Sequence, residues 1–214
     1  MMDENQVRTI VAEVLKHIDL HGRIKPGSIP CGVSNRHLHV SQADLEILFG
    51  SGYALKQMKP LSQPAQFAAE ETVLLVGPKG SIEKCRILGP VRPATQVEVS
   101  TTDCYKLGVK PVIRDSGNTA GTPGCVLVGP KGAVTLREGV IVAARHMHIS
   151  AVEASKFGLK DMDRISIKSS GTKSVIFNNV LVRVSDKFAL DFHLDTDEAN
   201  AAGINNGDMV EIVA

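Results

Sequence analysis

The spacing of apolar positions changes once along the chain. Near the start, Val7, Ile10, Val11, Val14, Leu15 and Ile18 recur at helical intervals, which predicts an amphipathic helix of about four turns within residues 1–21. The following HGRIKPGS, with two glycines and a proline, breaks that pattern and reads as a linker. From Ile29 onward the apolar residues fall in short or alternating runs between Gly, Pro and Asn: TVLLVG, CRILG, TQVEVS, GCVLVG, GVIVAA, DRISIKS, VLVRVS, FALDFHLD and DMVEIV. Strands this close together leave no room for the crossover helices of a parallel sheet, so they predict a mainly β body of barrels or sandwiches. Only SQADLEILFGSG, SAVEASKFGL and DEANAAGI read as short helices, the first two starting at a serine able to cap the opening turn. The helix at the start needs a surface to cover its apolar face, either on its own body or on another protein.

An internal repeat organises the body. SNRHLHVS at 34–41 is followed by QADLEILFG, and AARHMHIS at 143–150 by AVEASKFGL, so each histidine strand runs into a short helix. Further on, QVEVSTTDCYKLGV (96–109) aligns with DFHLDTDEANAAGI (191–204), matching Thr101 with Thr196, Asp103 with Glu198 and Gly108 with Gly203. Glu98 then falls opposite His193. The first copy is longer between these landmarks, with much of the excess in the polar stretch Lys56–Gln66. This is the pattern of two duplicated β-barrel domains with short capping helices.

Composition narrows the possible partners. A chain of 214 residues with 43% hydrophobic content fills one sizeable domain or two small ones. A net charge of +1 without long runs of one sign gives no footprint for nucleic acid or an anionic membrane. The first helix lacks the basic start and apolar run of a signal peptide, and no run of about 18 apolar residues occurs, so a location inside the cell is expected. Cys31, Cys85, Cys104 and Cys125 are widely spaced with no CxxC pair; they read as core residues, with a metal-ligand role left open.

The repeated motif carries the chemistry. In a strand, residues i and i+2 share a face, so His-x-His points two imidazoles at one place, which suits a divalent metal of intermediate softness. Composition yields about 0.2 such triplets by chance, whereas two copies share R-H-x-H-x-S. A catalytic metal needs a third protein ligand and an open position. The repeat alignment supplies Glu98 for His37 and His39, and His193 for His146 and His148, giving two unequal ligand sets. Arg92, in GPVRPATQVEV, is either a guanidinium that grips phosphate beside the metal or a solvated arginine. RDSGN at 114–118 is either an anion pocket or a loop. VGPKG occurs twice, at 76–80 and 128–132, foremost as a tight turn and alternatively with Lys79 or Lys131 on phosphate.

IPCGVSNRHLHVS, LSQPAQFAAEETV, GPVRPATQVEVS, VIRDSGNTAGTPG, GVIVAARHMHIS and FHLDTDEANAAG, in this order and over nearly the whole chain, resemble the PduL-type phosphotransacylases (phosphate propanoyltransferases) associated with bacterial microcompartments. The resemblance implies two interleaved β-barrels with the site between them, one from 22–35 plus 144–214 and the other from 36–143. It implies one zinc on His37, His39 and Glu98 and a second on His146, His148 and His193, with Arg92 and Ser116 at phosphate and Gln63 and Pro64 along coenzyme A. Ala65 departs from the glycine usual in the family. The resemblance further implies that residues 1–21 are an encapsulation peptide for microcompartment shell or core proteins, that the enzyme is a cytoplasmic homo-oligomer inside such a compartment of the propanediol or ethanolamine type, and that its substrates are CoA, phosphate and short acyl groups. A borderline-soft zinc with an open position binds CoA sulfur as thiolate, so no nucleophilic cysteine is required. Two other functions compete: a dinuclear zinc hydrolase of thioesters or phosphates, and a non-catalytic metal-binding scaffold module.

Overall fold

A computed structural model of the chain describes residues 28–213; the amphipathic helix expected within 1–21 lies outside them. The body is mainly β, in two sheets. Six strands, taken around the ring as Ser28–Ser34, Asp191–Asp195, His146–Ile149, Ile176–Val184, Arg164–Lys168 and Met209–Val213, close into a barrel. The remaining strands form a nine-stranded sheet that curls without closing. Its edges, Ile113–Arg114 and Ala133–Thr135, are two and three residues long, too short to supply the ladder that closure needs.

The duplication is visible in the pairing. His37–His39 lies between Gln96–Glu98, antiparallel to it, and Ser81–Gly89, parallel to it. His146–Ile149 lies in the same way between Asp191–Asp195 and Ile176–Val184. The strand preceding each histidine strand crosses to the other half: Ser28–Ser34 pairs with Asp191–Asp195, and Val140–Ala143 with Gln96–Glu98. The halves are thereby interlaced through backbone hydrogen bonds. Each keeps its own apolar core, one built on Leu38, Leu45, Leu75, Ile87, Val97 and Leu127, the other on Ile29, Met147, Ile167, Val182, Phe192 and Ile212. Fully burying a side chain of this size contributes about 1.5–3 kcal/mol.

Among the described residues four short helices cap the sheets: α1 (Gln42–Phe49), α2 (Thr101–Leu107), α3 (Ala151–Phe157) and α4 (Thr196–Ala202). The hydroxyls of Ser41 and Ser150 accept from the N–H groups of Asp44 and Glu153, as the sequence predicts for the first and third. Helix α2 was not expected from its own residues. Thr101, Thr102, Cys104 and Tyr105 are weak helix formers, but the Ser100 side chain caps the start, Gly108 adopts a left-handed φ of 75° at the end, and Cys104 and Leu107 are buried. Capping and burial override propensity there.

Both VGPKG copies close helix ends. The Lys79 N–H donates to Leu107 O and the Lys131 N–H to Leu48 O, each at 3.0 Å. A Cβ on Gly77 would stand 2.2 Å from Leu107 O, and one on Gly129 2.5 Å from Leu48 O, so glycine lets each turn reach a helix's unpaired carbonyls. Neither lysine is among the residues lining the cavity between the halves.

Candidate metal centre and substrate cavity

The third ligand of each set faces the first histidine across an antiparallel pair. His37 is opposite Glu98, and His146 is opposite His193. Directly opposed residues on a ladder share a face a few ångströms apart, so the two groups His37–His39–Glu98 and His146–His148–His193 each bring their ligand atoms within 4.8 Å of one another. In the first, Glu98 lies 3.5 Å from His37 Nε2 and 3.8 Å from His39 Nε2. In the second, the Nε2 atoms of His146 and His148 are 3.0 Å apart, with ring centroids 5.1 and 4.9 Å from His193.

Three of the imidazoles are held in one orientation by main-chain carbonyls. Nδ1 of His37, His39 and His146 lies 2.8, 3.3 and 2.8 Å from the carbonyl oxygens of Asn35, Leu88 and Ala144. A carbonyl can only accept, so each Nδ1 carries the proton and each Nε2 presents its lone pair. Burial, then His37 and Arg92, lowers His39 to about 3; burial and His193 lower His146 to about 4; burial, His146 and His193 lower His148 to about 2. The three are neutral at physiological pH. Burial pushes the Glu98 carboxyl upward, and the hydrogen bonds it accepts from Ser116 and Gln96 act against that. Two facing lone pairs at 3.0 Å repel unless a proton or a cation lies between them, and His148 Nδ1 is buried with no partner. This donor set fits a divalent cation of intermediate softness.

Both groups open onto one cavity of about 830 Å³, lined by residues of both halves, a volume that accommodates a sizeable organic ligand. Arg92 lines it from a loop before the strand Gln96–Glu98, so strand parity does not place it. Instead its N–H is pinned to Val40 O at 2.9 Å, and its guanidinium reaches Ser116 Oγ at 3.4 Å. Ser116 also donates to Glu98 Oε1 at 2.8 Å. Gln63 lines the cavity too, but its buried amide is spent on the other half, donating to Ala189 O at 3.0 Å and accepting from Ala189 N at 3.2 Å. Pro64 is exposed and is not among the lining residues. Ala65 has φ of 60°, a conformation that glycine adopts more readily than alanine. Cys31, Cys85 and Cys125 are buried, with burial pushing their thiols up to about 12, and Cys104 to about 11. None of them joins a ligand group.

Four lining or bridging residues went unnoticed in the sequence. Gln96 donates to Glu98 Oε1 at 2.6 Å and to Ser116 Oγ at 2.9 Å. Asp191, opposite His148, accepts from His193 Nε2 at 2.9 Å. Arg183 and Phe188 line the cavity beside His148. Period-two alternation could have marked Gln96 and Asp191, each two residues from a third ligand; Phe188 lies in a loop with no periodic signal. With Arg36, Lys59, Arg86, Arg92 and Arg183 against Glu98 and Asp191, the lining is electropositive and suits phosphorylated ligands.

No helix among the described residues is long and apolar enough to cross a membrane. Comparison with known proteins matches residues 30–205 to the family model of phosphate propanoyltransferase. The chain is 56% identical to the phosphate propanoyltransferase of Thermotoga maritima, covering 89% of this chain and 91% of that one. Against the proteins of the same name in Lachnoclostridium phytofermentans and Salmonella typhimurium, identity is 50% and 47%, covering 99% and 96% of this chain and 100% and 95% of theirs. The chain, with its paired histidine strands and shared cavity, belongs to the phosphate propanoyltransferase family.

Proposed function

We propose that the protein interconverts acyl-CoA (propanoyl- or acetyl-CoA) plus phosphate with acyl phosphate plus CoA. The observation that carries this reading is the opening of two unequal histidine-rich donor groups onto one basic cavity. His37, His39 and Glu98 would hold one divalent cation, and His146, His148 and His193 the other, zinc suiting both sets. When bound, such ions supply Lewis acidity to a carbonyl oxygen and a soft seat for a thiolate.

The chain's own groups do the rest. Arg92 and Ser116 grip phosphate and aim one oxygen at the thioester carbon. The new C–O bond forms, the C–S bond breaks with its electron pair leaving on CoA sulfur, and the guanidinium offsets charge on the phosphoryl oxygens. Main-chain carbonyls hold three of the imidazoles in one tautomer. No acyl-enzyme is needed, in keeping with four buried thiols of high pKa. Gln63 and Pro64 would flank the entry of coenzyme A.

The same reading divides the chain into 22–35 plus 144–214 and 36–143, supported by the two separate apolar cores. It assigns residues 1–21 to docking on shell or core proteins of a bacterial microcompartment, within which the enzyme works as a homo-oligomer. The support there is the sequence motif and its resemblance.

Metal analysis together with CoA release from acetyl-CoA and propanoyl-CoA tests the proposal, on wild type and His146→Ala. About two metals per chain and release only in the presence of phosphate are expected, with His146→Ala losing one metal and most turnover. Thiol release without phosphate would establish a hydrolase; two metals with no acyl transfer would establish a scaffold module.

A further inference from the structure

The cavity lining mixes charged and apolar side chains. Arg92 bonds to Ser116, which donates to Glu98 of the first donor group, while Val33, Leu88, Phe188 and Leu190 supply apolar surface. Val33 and Leu190 pack against the barrel core, but Phe188 belongs to neither apolar core. Its ring meets His148 edge-on with centroids 4.3 Å apart, and the Arg183 guanidinium lies 5.9 Å from the ring centre. An aromatic ring withheld from both cores and set against a candidate ligand offers its apolar surface to whatever occupies the cavity.

The ring sits on a doubly fixed loop. The Phe188 N–H donates to Ser185 O at 2.9 Å. The next residue, Ala189, is clamped through both backbone groups by the Gln63 amide, which is 3% exposed and comes from the other half. Movement of the loop therefore requires leaving a buried amide unpaired.

We propose that Phe188 is the wall that limits acyl-chain length, and that Gln63 is a positioning residue that holds this wall across the two halves. The inference rests on the acyltransferase reading above. Phosphate gripped by Arg92 and Ser116 sits beside Glu98 of the first group; a thioester carbonyl between the two groups then directs its short alkyl group to the second group, where Phe188 adjoins His148. Chains that fit gain apolar burial; longer ones meet the ring.

The test is kcat/KM for acetyl-, propanoyl-, butanoyl- and hexanoyl-CoA with phosphate, using the metal-loaded full chain. In Phe188→Ala the butanoyl-to-acetyl ratio should rise about tenfold or more, the scale on which a pocket discriminates one or two methylenes. Phe188→Trp should lower it. Gln63→Leu should shift the ratio in the same direction as Phe188→Ala, and the double variant should shift it no further than Phe188→Ala alone. Should Phe188→Ala not fold, Phe188→Leu and Phe188→Trp carry the comparison. Unchanged ratios, with KM rising equally for every thioester and for CoA in the reverse direction, would place Phe188 on the CoA moiety and overturn the proposal. A wild type that turns over none of the thioesters refutes the acyltransferase reading instead, and this inference with it.

Discussion

The two donor groups occupy the same positions in a duplicated sheet and differ in where one negative charge sits. Opposite the two histidines of the first strand are Glu98 and Gln96; opposite those of the second are His193 and Asp191. Each half thus offers one carboxylate. In the first it is a candidate ligand, supported by Gln96 and Ser116. In the second it stands one place back, accepting from His193. A ligating carboxylate neutralises part of a cation's charge, whereas one behind an imidazole mainly orients the ring and raises its basicity. With the same total charge in the two groups, cations held there as proposed would differ in Lewis acidity, lower at the Glu98 group and higher at the His193 group.

The comparison can be broken most forcefully at Arg92, which lines the cavity beside the first group and bonds to Ser116. Arg92→Ala should lower kcat by about 10²–10³, the cost of losing a preorganised charge-assisted donor, with metal content unchanged by elemental analysis. Normal turnover would remove Arg92 from phosphate binding. A smaller effect is expected behind the ligands. Asp191→Asn should weaken metal binding in the second group by about 10–100-fold in a competitive chelator titration while leaving the first group alone; equal weakening of both would erase the distinction between the halves.

The smallest contrast concerns stability. The repeat matches Asp103 with Glu198, and each is bound by the arginine before its own histidine strand. Arg36 holds the buried Asp103 through two contacts of 2.9 Å, while Arg145 reaches Glu198 at 3.4 Å with both side chains partly exposed. Arg36→Ala should cost about 2 kcal/mol by denaturant unfolding, because it leaves a buried carboxylate without its partner. Arg145→Ala should cost below about 1 kcal/mol. Equal losses would mean that packing of the arginine stems, rather than burial of the charge, sets the effect.

Much of the candidate site was legible because its spacing is covalent. His-x-His on a strand places two imidazoles on one face wherever the strand goes, and the internal repeat transferred Glu98 and His193 into register. Arg92 was legible as a residue and not as a position, since a main-chain bond to Val40, not strand parity, brings it to Ser116. Gln63 is the reverse case: its motif pointed to coenzyme A, while its amide is engaged with Ala189. Helix α2 was missed because weak propensities concealed a cap and a buried face that only the packed sheet supplies.

By itself the sequence determined the mainly β class, the duplication, the two histidine strands and their third partners, because each is a local period or a repeated string. Tertiary structure alone decided that one sheet closes and the other stays open, and that Arg183, Phe188 and Asp191 share the cavity with residues far away in the chain. Those outcomes depend on edge length, backbone pairing between distant segments and the space left by packed side chains, and none of these is encoded in a run of neighbouring residues.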